Sequence, residues 1–408
     1  MTSQRPKWAY TLPAALLLLA PFDILASLAM DIYLPIVPAM PGILNTTPAV
    51  IQLTLSLYMV MLGLGQIVFG PISDRIGRRP VLLIGVAVFI VTSLGAAWPL
   101  SASAFVALRV VQAIGASAML VAMFATVRDV YAQRPEGAVI YGLLGSMLAF
   151  VPAIGPMIGA LIDRLFGWQA IFITLGILAL LAGLHASWRW TETRPIGHGK
   201  LHRPVWPIFR SLSFWVYTTA FSAGMGSFFV FFSTAPRILI GQAGYSQITF
   251  SLAFASVALA MIATARFARK FVETWGTAGS VTRGMVMLIC GSFLLGIGQV
   301  SGVPSFLGFI VPMWVVAAGI VFTVSVTANG ALAQFDDIAG SAVAFYFCIQ
   351  SLIVSVFGTL MVAVLNGDTA WPVTCYALTM AFLVSCGLLL LRARRPRGER
   401  RMRRSSLS

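Results

Sequence analysis

The sequence predicts an all-α membrane protein, twelve transmembrane helices in two six-helix bundles, and three observations carry that expectation. Of its 408 residues, 59% are hydrophobic and 10% charged. Soluble domains carry about 25% charged residues, so no globular surface can be built from so few. Twelve apolar windows follow one another, each close to the length of about 20 residues that crosses a bilayer as helix. The positive charge is also one-sided. Of 27 Lys and Arg, all but Arg109, Arg164 and Arg237 fall in loops and tails assigned to one face, the bias that sets orientation in a membrane.

The windows lie near 12–38, 50–70, 81–98, 104–127, 138–163 and 168–188, then near 212–235, 247–267, 283–300, 304–328, 340–363 and 370–391. Basic loops after windows two, four, six and eight share a face with both termini, which the charge rule makes cytoplasmic. The loop after window ten departs from this, with Asp336 and Asp337 but no Lys or Arg. One sizeable polar stretch, Arg189–Arg210, divides the windows six and six. The expected organisation is a first bundle over 1–190, a cytoplasmic linker over 191–210, a second bundle over 211–391 and a basic tail over 392–408. Two such halves, each of inverted three-helix repeats, place a substrate site near the midplane between them.

The first window, LPAALLLLAPFDILASLAMDIYLPIVP (12–38), contains Asp23 and Asp31. A charge at the bilayer centre costs about 2.5–3.5 kcal/mol on insertion scales, so such residues face a protected interior and act there. Arg5 and Lys7 ahead of it imitate a signal peptide. The length of the run, Asp23 and the windows that follow make it an uncleaved first helix. In window four, Arg109 stands in ALRVVQAIGASA with Gln112 and Gly115. A buried Arg stays ionised and needs a carboxylate or polar partner. Counted at about 1.5 Å per residue, Arg109 and Asp31 lie at one depth, roughly 10 Å below the outer face, with Asp23 about 12 Å deeper. Two readings stand: a static Arg109–Asp31 pair joining helices, or an Arg109 that changes the acids' hold on a proton as water access alternates.

Between windows two and three stands GPISDRIGRRP (70–80), with Gly70, Asp74, Arg75, Gly77, Arg78 and Arg79. Three arginines alone would set orientation. The ordered spacing points further, to a latch that closes the inner side in one state. A degenerate echo, ARFARKFVETWG (265–276), is too weak to count as a second copy. Window five holds VPAIGPMIGA (151–160), where Pro152, Gly155, Pro156 and Gly159 predict a kinked helix with a closely packing small face, specialised or not. Window seven is aromatic: Phe228, Phe229, Phe231 and Phe232 follow Trp215 and Tyr217. Such density is more often packing than pocket. Phe228 and Phe229 are about 100° apart on a helix and need not both reach a cavity.

Other chemistries find no support. Cys290, Cys348, Cys375 and Cys386 lie in apolar stretches and form no disulfide framework. His198 and His202 lack a third ligand for a metal, and no phosphate-binding G-x-x-x-x-G-K-[ST] loop exists. Eight Arg between Arg392 and Arg404 read as a solvated tail near anionic headgroups, since nucleic-acid binding lacks an aromatic platform. Neither an enzyme's catalytic constellation nor a cofactor site is expected.

GPISDRIGRRP resembles the loop signature of the major facilitator superfamily. VPAIGPMIGA resembles an element of its proton antiporters, with Val151 and Ala160 where glycine is common. DIYLPIVP (31–38) resembles the opening helix of Bcr/CflA-type drug exporters. APFDILASLAMDIYLPIVPAMP (20–41), GMGSFFVFFSTAP (224–236), AVAFYFC (342–348) and NGDTAWP (366–372) are similar to the chloramphenicol/florfenicol exporters among them. The resemblance implies a monomeric carrier of a bacterial inner membrane that expels amphenicols in exchange for protons. It assigns proton coupling to Asp23, Asp31 and Arg109, and substrate contacts to these with Ser27, Tyr58, Met147, Phe228, Phe229 and Tyr346. A broader multidrug antiporter and a proton-coupled importer are the alternatives within the fold, and uptake against efflux in cells separates the last.

Overall fold

In lipid a backbone has no water to bond, so long apolar runs become helix. The computed structural model describes residue 8 and residues 10–131, 135–194, 205–302, 305–335 and 339–394. Its first six long helices are α1 (Leu12–Asp31), α2 (Pro48–Ile76), α3 (Arg78–Ala96), α4 (Ala102–Tyr131), α5 (Pro135–Phe166) and α6 (Gln169–Arg189). After α7 (Leu212–Pro236), the stretch Gln247–Val300 breaks at Gly276 (φ 66°, ψ 176°) into α8 (247–275) and α9 (277–300). The last three are α10 (Val311–Leu332), α11 (Ala339–Val364) and α12 (Trp371–Arg394). Among the described residues, eleven helices are long and apolar enough to cross a membrane, and the 32-residue α5 makes twelve. Large apolar side chains on the outside, such as Leu17, Val91, Leu181 and Leu390, are exposed. The chain is a multi-pass membrane protein.

Helix starts carry local reasons. The Thr47, Ser211 and Ser246 hydroxyls accept from the backbone N–H three residues on, satisfying one of the orphan donors of a first turn. Pro48 opens α2, where a missing N–H loses nothing.

The packing repeats with a step of six. α1 packs on α5, α2 on α4, and α3 on α6, as α7 packs on α11, α8 on α10, and α9 on α12. Between the halves, α2 meets α11 and α5 meets α8. Backbone detail repeats as well. A Cβ on either Gly85 or Gly115 would lie 2.8 Å from the other's carbonyl oxygen, and the same holds for Gly284 and Gly319. Gly77 (φ 111°) joins α2 to α3, and Gly276 (φ 66°) joins α8 to α9. The weak echo at 265–276 is therefore a backbone repeat whose side chains have diverged. The charge does not repeat: α7 and α10 contain no Asp, Glu, Lys or Arg, whereas α1 and α4 hold Asp23, Asp31 and Arg109.

At the end opposite the basic loops, hydrogen bonds tie the halves together. Gln52 donates to Ser233 (3.0 Å), the Ser56 and Thr359 hydroxyls meet, and Gln247 donates to Asp163 (2.8 Å). Above them a cleft of about 160 Å³ runs between Val37, Pro38 and Gln52 on one side and Arg237, Gln242 and Asp368 on the other.

Candidate functional site

Arg109 is wholly buried, and the side chains that touch it come from the first half of the chain. Its Nη1 donates to Gln112, which donates in turn to Ser93 (2.7 Å). Its guanidinium carbon lies 4.7 Å from the ring centre of Tyr58, 5.3 Å from Tyr33 and 6.0 Å from Phe172. Nε and Nη2 make no hydrogen bond with protein. A desolvated cation–π contact contributes about 2 kcal/mol, and burying an ion costs several. The three rings offset part of that cost, while two donors stay without a partner in the protein. Tyr58 itself is held by donating to the Ala26 carbonyl (2.9 Å).

The static pair with Asp31 does not form. Among the described residues, no carboxylate lies within ion-pair distance of Arg109. Depth counting puts the two at one level, and it is Tyr33, two residues beyond Asp31, whose ring lies on the guanidinium. Counting says nothing of rotation about the helix, and Asp31 turns its Cβ toward α5. Asp31 and Asp23 are nonetheless buried, at 5% and 3% exposure, and Asp23 Oδ2 has no protein partner. Ser27, between them, is half-buried.

The glycine face of α5 holds the outer end of α1. A Cβ on Gly155 would lie 2.8 Å from the Asp31 Cβ, and one on Gly159 would lie 1.9 Å from the Ile32 carbonyl oxygen. Ile154, Met157 and Ile158, on the other side, are exposed. Pro152 and Pro156 sit inside the helix. Val151 and Ala160, the departures from the resembled element, are buried and fill the place of glycine.

At the basic face, the loop GPISDRIGRRP is tied within its own half. Arg78, 2% exposed, reaches Asp74 (2.7 Å), Asp129 of α4 (2.9 Å) and Ser73 (2.8 Å). The Glu192 carboxylate accepts the backbone N–H of Arg78 (2.8 Å) and Arg79 (3.1 Å), sitting on the amino end of α3. A Cβ at Gly77 would meet it at 2.4 Å. Arg79 donates to the Ser187 carbonyl (2.7 Å), and Arg194 to that of Arg75. Because a buried ion left by its partner is costly, Asp129→Ala should lower stability by about 3 kcal/mol. Glu192→Ala removes only a helix cap, worth about 1 kcal/mol. Thermal unfolding of the purified protein gives the ranking, and equal losses would contradict it.

Sequence reasoning passed over several of these groups. Tyr33 lies within DIYLPIVP with nothing to mark it there, and Phe172 gives no signal in an apolar run. Trp8 packs on Trp190 (5.1 Å) and donates to the Tyr131 hydroxyl (3.1 Å), and Phe22 packs on Trp190 (5.8 Å). An aromatic plug thus lies beneath α1, next in sequence to Asp23. Tryptophan at the edge of an apolar window was the available hint.

In the second half, Phe228 packs on Phe254 of α8 (6.0 Å) and on Phe231 (6.2 Å), whereas the Phe229 ring lies against Gly358 of α11. The two rings do point apart. Tyr346 is buried and donates to Thr327 (3.0 Å). The Met147 side chain, the linker histidines, Asp336, Asp337 and the arginine tail beyond Arg394 lie outside the described residues, and the first residues assigned to the tail, 392–394, are the last of α12.

A sequence model described as Major Facilitator Superfamily matches residues 19–359. A chloramphenicol resistance protein of Pseudomonas aeruginosa is 52% identical over 94% of this chain and 92% of its own length. Multidrug resistance protein D of Escherichia coli K12 is 27% identical over 83% and 85%, and a bicyclomycin resistance protein homolog of Haemophilus influenzae 26% over 91% and 93%. The crystal structure of a D-xylose-proton symporter superposes with a TM-score of 0.74 at 16% identity, over 92% of this chain and 97% of that one. That likeness speaks for the fold. With two helical halves related by a step of six, a signature loop locked at the start of α3 and a match across most of its length, the chain belongs to the major facilitator superfamily.

Proposed function

We propose that this protein expels amphenicol antibiotics, chloramphenicol and florfenicol, from the bacterial cytoplasm in exchange for protons, conferring resistance. The observation that carries the reading is that, among the described residues, buried charge is confined to one half. Asp23, Asp31 and Arg109 stand in α1 and α4, and the equivalent helices of the other half are neutral. A carrier that only needed two matching halves would gain nothing from that asymmetry. A proton carrier needs one titrating half and one apolar wall. The 52% identity to a chloramphenicol resistance protein supports the substrate.

The basic face is taken as cytoplasmic, in the inner membrane, so the hydrogen-bonded end is the outer gate in its closed state. In this conformation Arg109 and Tyr58 are shut from drug, and Asp23, Asp31 and Arg109 handle the proton. Arg109 has two donors to spare, and the acids supply acceptors for them when helices shift. Phe228, Phe229 and Tyr346 belong to the drug-facing half, since an aromatic, amide-bearing drug suits an apolar wall with few fixed polar groups. One proton crossing 100 mV releases about 2.3 kcal/mol, enough for an about 40-fold gradient of neutral drug.

In proteoliposomes holding a pH gradient, adding chloramphenicol should accelerate proton flux, and collapsing the gradient should stop drug accumulation. Drug transport that ignores the proton gradient would sink the exchange. A broader drug range is the second reading, favoured by the identity to multidrug relatives. Resistance to unrelated lipophilic drugs at matched expression would establish it.

A further inference from the structure

Helix α2 carries Gln52-Leu-Thr54-Leu-Ser56, three buried polar residues at alternate positions. At about 100° per residue, Gln52 and Ser56 share a face and Thr54 lies on the opposite one. A helix that only needed polar glue toward its neighbour would place these groups on a single face.

The contacts use both faces. Gln52 reaches Ser233 of α7 and Ser56 reaches Thr359 of α11, both in the other half. Thr54 looks back into its own half. Its hydroxyl donates to the Ile51 carbonyl (2.6 Å), which leaves its oxygen to accept from Tyr33 (3.2 Å). The ring of Tyr33 in turn lies against the Arg109 guanidinium. One turn of helix therefore touches the outer gate with two side chains and the charge pocket with the third.

We infer that Tyr33 and Thr54 are positioning residues that couple the charge state of the Asp31–Arg109 pocket to the outer gate. This rests on the proton-exchange reading above. Opening the gate releases Gln52 and Ser56 from the other half, and the turn, no longer held there, re-seats the hydroxyl on which Tyr33 rests against Arg109. By reciprocity, a change of charge in the pocket changes how firmly Tyr33 holds the turn, and hence the gate. Arg109 of α4 lies on the Tyr33 ring, and Phe105 of α4 and Phe172 of α6 pack against it and bring no charge. Tyr58 of α2 shares the same guanidinium, Asp31 stands two residues before Tyr33 in the chain, and Asp23 lies deeper on α1.

The test reads the gate. Gly42 and Gly241 are exposed, lie on opposite halves and have open space around them. Spin labels at Gly42→Cys and Gly241→Cys, with Cys290, Cys348, Cys375 and Cys386 replaced by Ser, report the outer-end distance in nanodiscs. Asp31→Asn mimics the protonated acid. It should raise the ratio of short to long distances at least about threefold, a shift of pre-existing populations. Adding Tyr33→Phe or Thr54→Val, which keep ring and volume, should remove at least half of that response while chloramphenicol binding persists. A response equally large in both variants would overturn the coupling and leave the exchange reading standing. No response to Asp31→Asn in the unaltered background would overturn the coupling as well, and drug transport that ignores the proton gradient would overturn the exchange reading.

Discussion

Arg109→Ala should reduce chloramphenicol export to that of cells lacking the transporter, a loss of at least about tenfold, which is 1.4 kcal/mol of coupling. The protein should remain in the membrane in its usual amount. Two features of the pocket make this outcome sharp. The Tyr58 and Tyr33 hydroxyls are bonded to the Ala26 carbonyl and to Thr54, so each keeps a hydrogen-bond partner when the guanidinium is gone. Gln112 loses one partner and keeps Ser93. Removing the charge also removes the several kcal/mol that burying an ion costs, which offsets the cavity left by the side chain. Thermal stability should therefore hold as export falls. Arg109→Lys should fail almost as badly. An ammonium is a strongly hydrated point charge and cannot lie flat on Tyr58 while its other end reaches Gln112. Melting in detergent and drug efflux, measured together, decide the matter. If Arg109→Ala melts several degrees lower and still exports, the residue is structural and the engine lies elsewhere.

The twelve helices were legible because bilayer thickness sets a length that apolar runs must match. Their basic-face ends were not. The apolar window of α2 stops near residue 70 and its helix at Ile76, and α4 runs on to Tyr131. Those last turns are amphipathic and find their partners in the tied loops. Asp23, Asp31 and Arg109 stood out as charge in oil, an anomaly any reading of hydropathy finds. What surrounds Arg109 did not. Tyr33, Tyr58 and Phe172 come from three helices, and nothing in a run of apolar residues says which ring turns inward. Glu192 was hidden for the opposite reason. In a polar linker a carboxylate is ordinary, and only the return of the chain to α3 makes it a cap. The repeat of the two halves was masked because it survives in glycines at crossings and joints, where sequence similarity is thinnest.

Gly159→Ala should abolish exchange as thoroughly as losing Arg109 does, through packing rather than charge. The added methyl would sit 1.9 Å from the Ile32 carbonyl oxygen. A side chain would swing aside, but a carbonyl cannot move without its helix. Overpacking a tight site costs about 1–3 kcal/mol, small beside what a folded protein of this size contains, so the chain should still insert and fold. The strain falls where α1 ends, between Asp31 and Tyr33, one residue to either side of Ile32, and displaces Tyr33 from Arg109 and Asp31 from its seat on α5. Gly155→Ala presses instead on the Asp31 Cβ at 2.8 Å and the Leu28 Cδ1 at 3.3 Å. Side chains can give there, so a partial loss of about three- to fivefold is expected, near 1 kcal/mol. Pro152→Ala, which removes a kink but adds no clash, should be milder still. Proton flux without drug separates this account from simple misfolding. A displaced α1 should leak protons in Gly159→Ala vesicles, whereas a merely unstable protein would lose leak and exchange together. Wild-type coupling in Gly159→Ala would mean that the crossing of α1 and α5 does not govern the acid.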